Sequence, residues 1–214
     1  MSPSGVTIHT FVLGPLETNC YLLQSGQDCW VVDPSLWAGP LLQFLADAPL
    51  RPGRILLTHG HGDHIAGIPE VREVCPEVRV CCPAGDAGML TDPDLNMSAL
   101  MGLSIAVGEP DERIRPGETL TLGGTRWEVL DTSGHSPGGV SYHCPAERIA
   151  LTGDALFAES IGRTDIPHAS PSRLLRNIRE KLLTLPPDTV VLPGHGPSST
   201  VGHEQECNPF FAGG

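Results

Sequence analysis

The run Thr58-His59-Gly60-His61-Gly62-Asp63-His64 places three imidazoles and a carboxylate within six residues, directly after the apolar stretch Ile55-Leu56-Leu57. The two glycines free the backbone to bend tightly, so successive side chains can converge on a point instead of alternating across a strand. Imidazole nitrogen and carboxylate oxygen are the donors that zinc and other borderline divalent metals prefer. Metal chemistry is therefore favoured over the blander account, a polar turn that happens to be rich in histidine.

The same ending recurs. Arg126-Trp127-Glu128-Val129-Leu130 leads into Asp131-Thr132-Ser133-Gly134-His135, Arg148-Ile149-Ala150-Leu151 into Thr152-Gly153-Asp154, and Val190-Val191-Leu192 into Pro193-Gly194-His195. A lone Gly-His or Gly-Asp after a strand is more often a turn than a ligand, so it is the joint occurrence that carries weight. Strands packed in one core with their carboxyl ends along one edge would aim all these groups into one cleft. Five His and two Asp gathered in this way can hold two metals.

On these residues the sequence closely resembles the metallo-β-lactamase-fold hydrolase superfamily, whose H-x-H-x-D-H motif, later His, later Asp and final His stand as His59, His61, Asp63, His64, His135, Asp154 and His195. The resemblance covers essentially the whole chain and implies an α+β fold, an αββα four-layer sandwich forming a single domain over residues 1–214. It implies that His59, His61 and His135 bind a first divalent metal, that Asp63, His64 and His195 bind a second, and that Asp154 bridges both. Zinc is the expected metal, with iron and manganese also accepted by such donor sets. A hydroxide shared by the two ions would be the nucleophile. Asp63 and Asp154 would be the catalytic carboxylates, Asp63 orienting the hydroxide or taking its proton. No Ser or Cys nucleophile is then required, and the chain has no G-x-S-x-G elbow.

Within the superfamily, Gly153-Asp154-Ala155-Leu156-Phe157, Ile161-Gly162-Arg163-Thr164-Asp165, Pro193-Gly194-His195-Gly196-Pro197 and Asn208-Pro209-Phe210 look like the short bacterial glyoxalase II branch. That resemblance implies hydrolysis of S-D-lactoylglutathione to D-lactate and glutathione, a thiolate being a good leaving group and a soft ligand for zinc. Long glyoxalase II enzymes hold glutathione partly with a carboxyl-terminal helical domain, whereas this chain ends 19 residues after His195, so the core must supply any glutathione contacts. Arg163 is the candidate for a substrate carboxylate, and a structural Arg163–Asp165 ion pair is the competing account. Asp33 is expected to support the ligand loops through hydrogen bonds. His9, His143, His168 and His203 lack the strand-Gly-ligand context, and of these His168 follows the Arg163 loop most closely. Tyr142 reads as a strand residue that could line the pocket.

Four rival readings share the fold. A glutathione persulfide dioxygenase type would use one iron held by His59, His135 and Asp154, but the presence of His64 and Gly194-His195 favours two metals. A lactonase asks similar things of the metals. A scaffold that kept the fold and lost turnover is disfavoured by the complete ligand set. A secreted β-lactamase is disfavoured by the lack of a signal-like amino terminus and by the cysteine usage.

Composition narrows the partners. Hydrophobic residues make up 40% and charged residues 18%, enough apolar material to collapse without an excess of charge. The net charge of −12, with no basic stripe, excludes a nucleic-acid binder, including an RNA-processing nuclease. No apolar run approaches the roughly 20 residues that span a bilayer. A soluble, cytoplasmic protein acting on a small molecule is expected. Seven cysteines, an odd number without a C-x-x-C pair, read as reduced and mostly buried thiols.

The elements that must position these groups are short. Strands are predicted at 6–13, 20–23, 29–32, 55–57, 78–82, 119–122, 126–130, 139–143, 148–151 and 189–192, with helices at 40–46, 65–74, 85–90 and 171–184. In the last helix Ser170 is the expected N-cap, Pro171 takes the first helical position, and Leu174, Leu175, Ile178, Leu182 and Leu183 recur at helical spacing. A polar stretch at 108–117 is the one seam. Cys81 and Cys82, adjacent in a strand, should point to opposite faces.

Overall fold

A computed structural model describes residues 5–212. The chain first builds β1 (Thr7–Leu13), β2 (Thr18–Ser25), β3 (Asp28–Val32), α1 (Gly39–Asp47), β4 (Arg54–Leu56), α2 (Gly62–Ile65), α3 (Ile68–Val74), β5 (Arg79–Pro83) and β6 (Glu112–Ile114). These six strands form one sheet in sequence order, antiparallel from β1 to β3 and parallel from β3 to β6. The chain then makes β7 (Thr119–Leu122), β8 (Thr125–Asp131), β9 (Val140–Cys144), β10 (Ile149–Gly153), β11 (Leu156–Phe157), β12 (Ser160–Ile161), α4 (Pro171–Asn177), β13 (Val190–Pro193), β14 (Ser199–Thr200) and α5 (Val201–Cys207). The second sheet has the order β14-β13-β10-β9-β8-β7, and β11 and β12 pair by themselves.

Side-chain alternation builds the layers. Tyr21, Leu23, Trp30, Val32, Leu56 and Cys81 of the first sheet pack against Trp127, Val129, Tyr142 and Leu151 of the second. The alternate residues Leu22, Val31, Ile55, Val80 and Cys82 turn outward to meet Leu41 and Leu45 of α1, Ile65 of α2, and Ile68 and Val71 of α3. On the far side Val191 packs with Leu174, Ile178, Leu182 and Val201. The result is the expected αββα sandwich, and Cys81 and Cys82 do serve different cores. β3, β4 and β5 are buried on both faces, which is why they read as continuous apolar runs rather than as alternation. Six of the seven cysteines are buried thiols and Cys207 is exposed. Among the described residues no helix is long and apolar enough to cross a membrane.

The ten expected strands are all present, with ends moved by one or two residues. The seam at 108–117 falls where the chain leaves the first sheet for the second, but its middle forms the edge strand β6. Its three residues, Glu112-Arg113-Ile114, are too few to show alternation; parallel pairing with β5 supplies the order. β11, β12, β14 and α5 were not expected, being two-residue strands and a seven-residue helix held by tertiary contacts. The helix expected at 65–74 is two helices broken at Gly67, where a side chain would collide with the backbone of Pro34 and Ser35. Residues 171–184 start as α4 and continue as a wider π turn over Ile178–Leu182. Ser170 has N-cap backbone geometry, yet its hydroxyl makes no cap bond; its amide donates instead to the Gly134 carbonyl at 2.7 Å. Residues 87–91 form a 3₁₀ turn.

Candidate metal centre

The carboxyl ends of β3, β4, β8, β10 and β13 lie along one edge of the sandwich, so the segments that follow them meet. Ring centroids are 4.7 Å apart for His59 and His61, 5.1 Å for His59 and His135, and 4.6 Å for His61 and His135. Donor atoms of His59, His61 and His135 all lie within 4.8 Å of one another, as do those of Asp63, His64 and His195. Asp154 stands between the two groups. Its Oδ1 is 3.4 Å from His64 Nε2, and its Oδ2 is 3.5 Å from both His135 Nε2 and His195 Nε2. Every one of the seven residues singled out by pattern is here.

Oxygen acceptors around the rim decide which imidazole nitrogen faces inward. His64 Nδ1 donates to Asp33 Oδ2 at 3.0 Å, His135 Nδ1 to the Arg163 carbonyl at 2.9 Å, and His195 Nδ1 to the Leu16 carbonyl at 2.9 Å. Thr58 Oγ1 donates to Asp33 Oδ2 at 2.6 Å and so accepts from His59 Nδ1 at 3.1 Å. In each of these four rings the outward bond engages Nδ1 and turns Nε2 to the inside, the arrangement a metal-binding histidine needs. Two of the inner atoms have no protein partner at all. His59 Nε2 and Asp154 Oδ1 are buried without any hydrogen bond, and the inward-facing His135 Nε2 meets only another imidazole, His61 Nδ1 at 2.9 Å. The same donor set that leaves these atoms orphaned fits divalent metal ions.

Electrostatics divides the cluster. Burial, reinforced by the neighbouring imidazoles, holds His59 well below the ordinary imidazole range and His61 down to about 3. Burial opposes charge on His64 too, but the carboxylates of Asp63, Asp154 and Asp33 together raise it well above that range. For His195 the same contest, won by hydrogen bonds to Asp154 and Asp63, gives about 10. Asp63 and Asp154, though desolvated, are held well below the usual carboxylate range by His64 and His195.

Asp86 is the residue that pattern reading missed. Its carboxylate accepts from Gly60 N at 3.1 Å, Ser136 Oγ at 2.6 Å and Gly138 N at 2.6 Å, clamping the His59–His61 turn to the loop after His135. Burial pushes its carboxyl up and those three donors pull it back. Its signal was present, since Val80-Cys81-Cys82-Pro83-Ala84-Gly85-Asp86 is another strand followed by Gly and a carboxylate. Asp33 holds Thr58 and His64, as expected. Arg163 is exposed on the cleft rim, where its guanidinium grips Asp165 at 2.9 and 3.0 Å. The four bystander histidines stay out of the cleft, with His9 against Phe44, His143 beside Glu128, His203 on Glu159 and His168 in a separate groove beside Met89. Tyr142 does not line the pocket; it is fully buried and its hydroxyl donates to the Leu57 carbonyl at 2.7 Å, tying the two sheets together.

The Metallo-beta-lactamase superfamily model matches residues 13–195, which includes every residue of the cluster. The chain belongs to this superfamily. It is a metal-dependent hydrolase of that group, alongside the probable metallo-hydrolase YqgX of Bacillus subtilis, 40% identical over 94% of this chain and 95% of the relative. The superfamily member hydroxyacylglutathione hydrolase GloC of Haemophilus influenzae is 32% identical over 91% and 93% of the two chains. Among solved structures, the BLEG-1 B3 metallo-beta-lactamase superposes with a TM-score of 0.92 at 38% identity, covering 97% of this chain and all of the other. TTHA1623, solved in a di-iron-bound form, gives 0.85 at 35% identity, with 94% and 99% covered.

One glycine of the superfamily site tests how tightly it is built. A methyl at Gly162 would run into the Asp154 carbonyl oxygen and come within 3.0 Å of His135 Nδ1. Gly162→Ala is expected to destabilise the protein by about 1–3 kcal/mol, as overpacking does, and to lower its metal content. Thermal unfolding with metal analysis checks this; an unchanged melting temperature and metal content would mean that the backbone yields there.

Proposed function

We propose that this protein hydrolyses thioesters at a site holding two divalent metals, His59, His61 and His135 binding one, Asp63, His64 and His195 the other, and Asp154 both. The position of Asp154 within 3.5 Å of donor nitrogens from both groups is the observation that carries this reading. Zinc suits the donor set, and iron, as in the TTHA1623 structure, suits it as well. Bound there, the metals would bring a water's pKa down toward 7 and polarise a carbonyl.

The protein's own groups do the rest. Asp63 lines the cleft and stays ionised, so it accepts a hydrogen bond from the attacking water while being too weak a base to keep its proton. The water's oxygen joins the acyl carbon, the C–S bond breaks, and a proton ends on the departing thiol. S-D-lactoylglutathione is the first substrate to test, on the likeness to GloC. Purified protein assayed for thioester hydrolysis together with metal analysis should show two metals per chain and turnover. One iron per chain with oxygen consumed on glutathione persulfide would replace this reading, and full metal with no turnover on any thioester, lactone or phosphoester would end it. Hydrolysis of a β-lactam is the second reading, favoured by the BLEG-1 likeness; a β-lactam panel beside the thioesters separates the two.

Proton release gives an independent check. His59 and His61 are already neutral near pH 7, and Asp63 and Asp154 already ionised, so the first metal displaces no proton from them. His64 and His195 are protonated at that pH and must give up about two protons when the second metal binds. Affinity at the second position should therefore rise steeply with pH toward about 10. Calorimetry of zinc added to metal-free protein, run in buffers of different ionisation enthalpy, reads this directly; saturation with two metals and no proton release would contradict the division of donors.

Arg163→Ala should weaken glutathione thioesters by no more than about fivefold, the scale of an exposed ion pair, and leave small uncharged thioesters unaffected. Equal losses on both would make the Arg163–Asp165 pair purely structural.

A further inference from the structure

The cleft above the His/Asp cluster encloses about 610 Å³ and has two chemically distinct parts. Its floor is polar, and its walls are Leu16, Met97, Leu100, Met101, Phe157 and Ile161. Leu100 is 74% exposed, Leu16 48% and Met101 41%, an unusual concentration of bare apolar surface around one opening.

The wall is not a slack loop. Asn96, buried, donates from Nδ2 to the Met89 and Ile105 carbonyls at 2.9 and 2.8 Å and accepts from Ser98 N at 3.0 Å. Buried Ser98 Oγ accepts from Ile105 N at 3.1 Å. The Asn96 carbonyl accepts from Gly62 N at 2.8 Å, fastening the wall to the turn that carries His61 and Asp63. Met97, with φ of 66°, sits in the left-handed region, where a non-glycine residue stays only under such constraint. Polar groups thus point inward to hold apolar ones over the site. Imidazoles aside, Arg163 is the one cation lining the cleft among the described residues, and Asp165 already neutralises it.

We propose that the cleft accepts a carboxylic thioester by its apolar acyl chain, several methylenes long, laid against Met97, Leu100 and Met101, with the carbonyl over the His/Asp floor. This rests on the thioesterase reading and deepens it: an uncharged chain, not a hydroxyacyl group or the carboxylates of glutathione, supplies most of the recognition.

The test separates the two. Zinc-reconstituted protein is titrated calorimetrically with acetate, hexanoate and octanoate, and assayed on the S-lactoyl, S-hexanoyl and S-octanoyl thioesters of glutathione. Carboxylate affinity is expected to rise about threefold per methylene, against about fourfold for complete burial, and the L100S/M101S variant should flatten that rise. Equal affinities across the series, or a rise that the double variant leaves unchanged, overturn the proposal, even if S-lactoylglutathione is hydrolysed. A chain-length rise with no thioester hydrolysed keeps the acyl-chain assignment and removes the thioesterase reading.

Discussion

Asp154→Ala is expected to leave at most one metal ion per chain and to lower thioester turnover on the order of a thousandfold, since the metals supply several kcal/mol of the transition-state stabilisation. The reason lies in position more than in charge. Asp154 follows β10, and its two oxygens face His64 on one side and His135 and His195 on the other. Removing it leaves His64 and His195 next to each other, Nε2 to Nε2 at 3.3 Å, with Asp63 as their remaining carboxylate in the cleft. Metal analysis and a thioester assay on the same preparation check the prediction. Two metals and undiminished turnover would refute the two-metal assignment.

The second large effect comes from a residue that touches no substrate. Asp33 is 2% exposed, and its carboxylate accepts from Thr58 N at 2.8 Å, Thr58 Oγ1 at 2.6 Å and His64 Nδ1 at 3.0 Å. Asp33→Ala strands an amide, a hydroxyl and an imidazole in the interior at once. Breaking a buried pair of this kind costs about 3–5 kcal/mol, and losing the partner of a metal-binding histidine costs about 10–100-fold in metal affinity. Asp33→Asn retains an acceptor oxygen and should recover part of the melting temperature while still weakening metal, because it can no longer satisfy both Thr58 and His64 as an anion. Competition with a chelator, measured beside thermal unfolding, distinguishes these losses. Full metal affinity in Asp33→Ala would show that His64 needs no fixed tautomer.

The donor set was legible because its chemistry is local: His59, His61, Asp63 and His64 occupy one turn, and His135, Asp154 and His195 each follow a strand and a glycine. The layers were legible because two-residue alternation, as at Leu22-Leu23 and Cys81-Cys82, assigns neighbours to different cores. β6, β11, β12 and β14 were not, being too short to show a period. Asp86 was overlooked although its strand-Gly-Asp context matched, because the donors that occupy it come from Gly60, Ser136 and Gly138, far apart in the chain. Arg163 acts on the cluster through its backbone carbonyl, which no side-chain pattern encodes.

By itself the sequence determined which groups can bind metal and that strands must present them at their carboxyl ends, since both follow from residue type and short-range spacing. Tertiary structure alone decided which imidazole nitrogen faces inward and what covers the site. Those depend on segments such as Leu16 and His195, 179 residues apart, being brought into hydrogen-bonding distance by two sheets packing face to face.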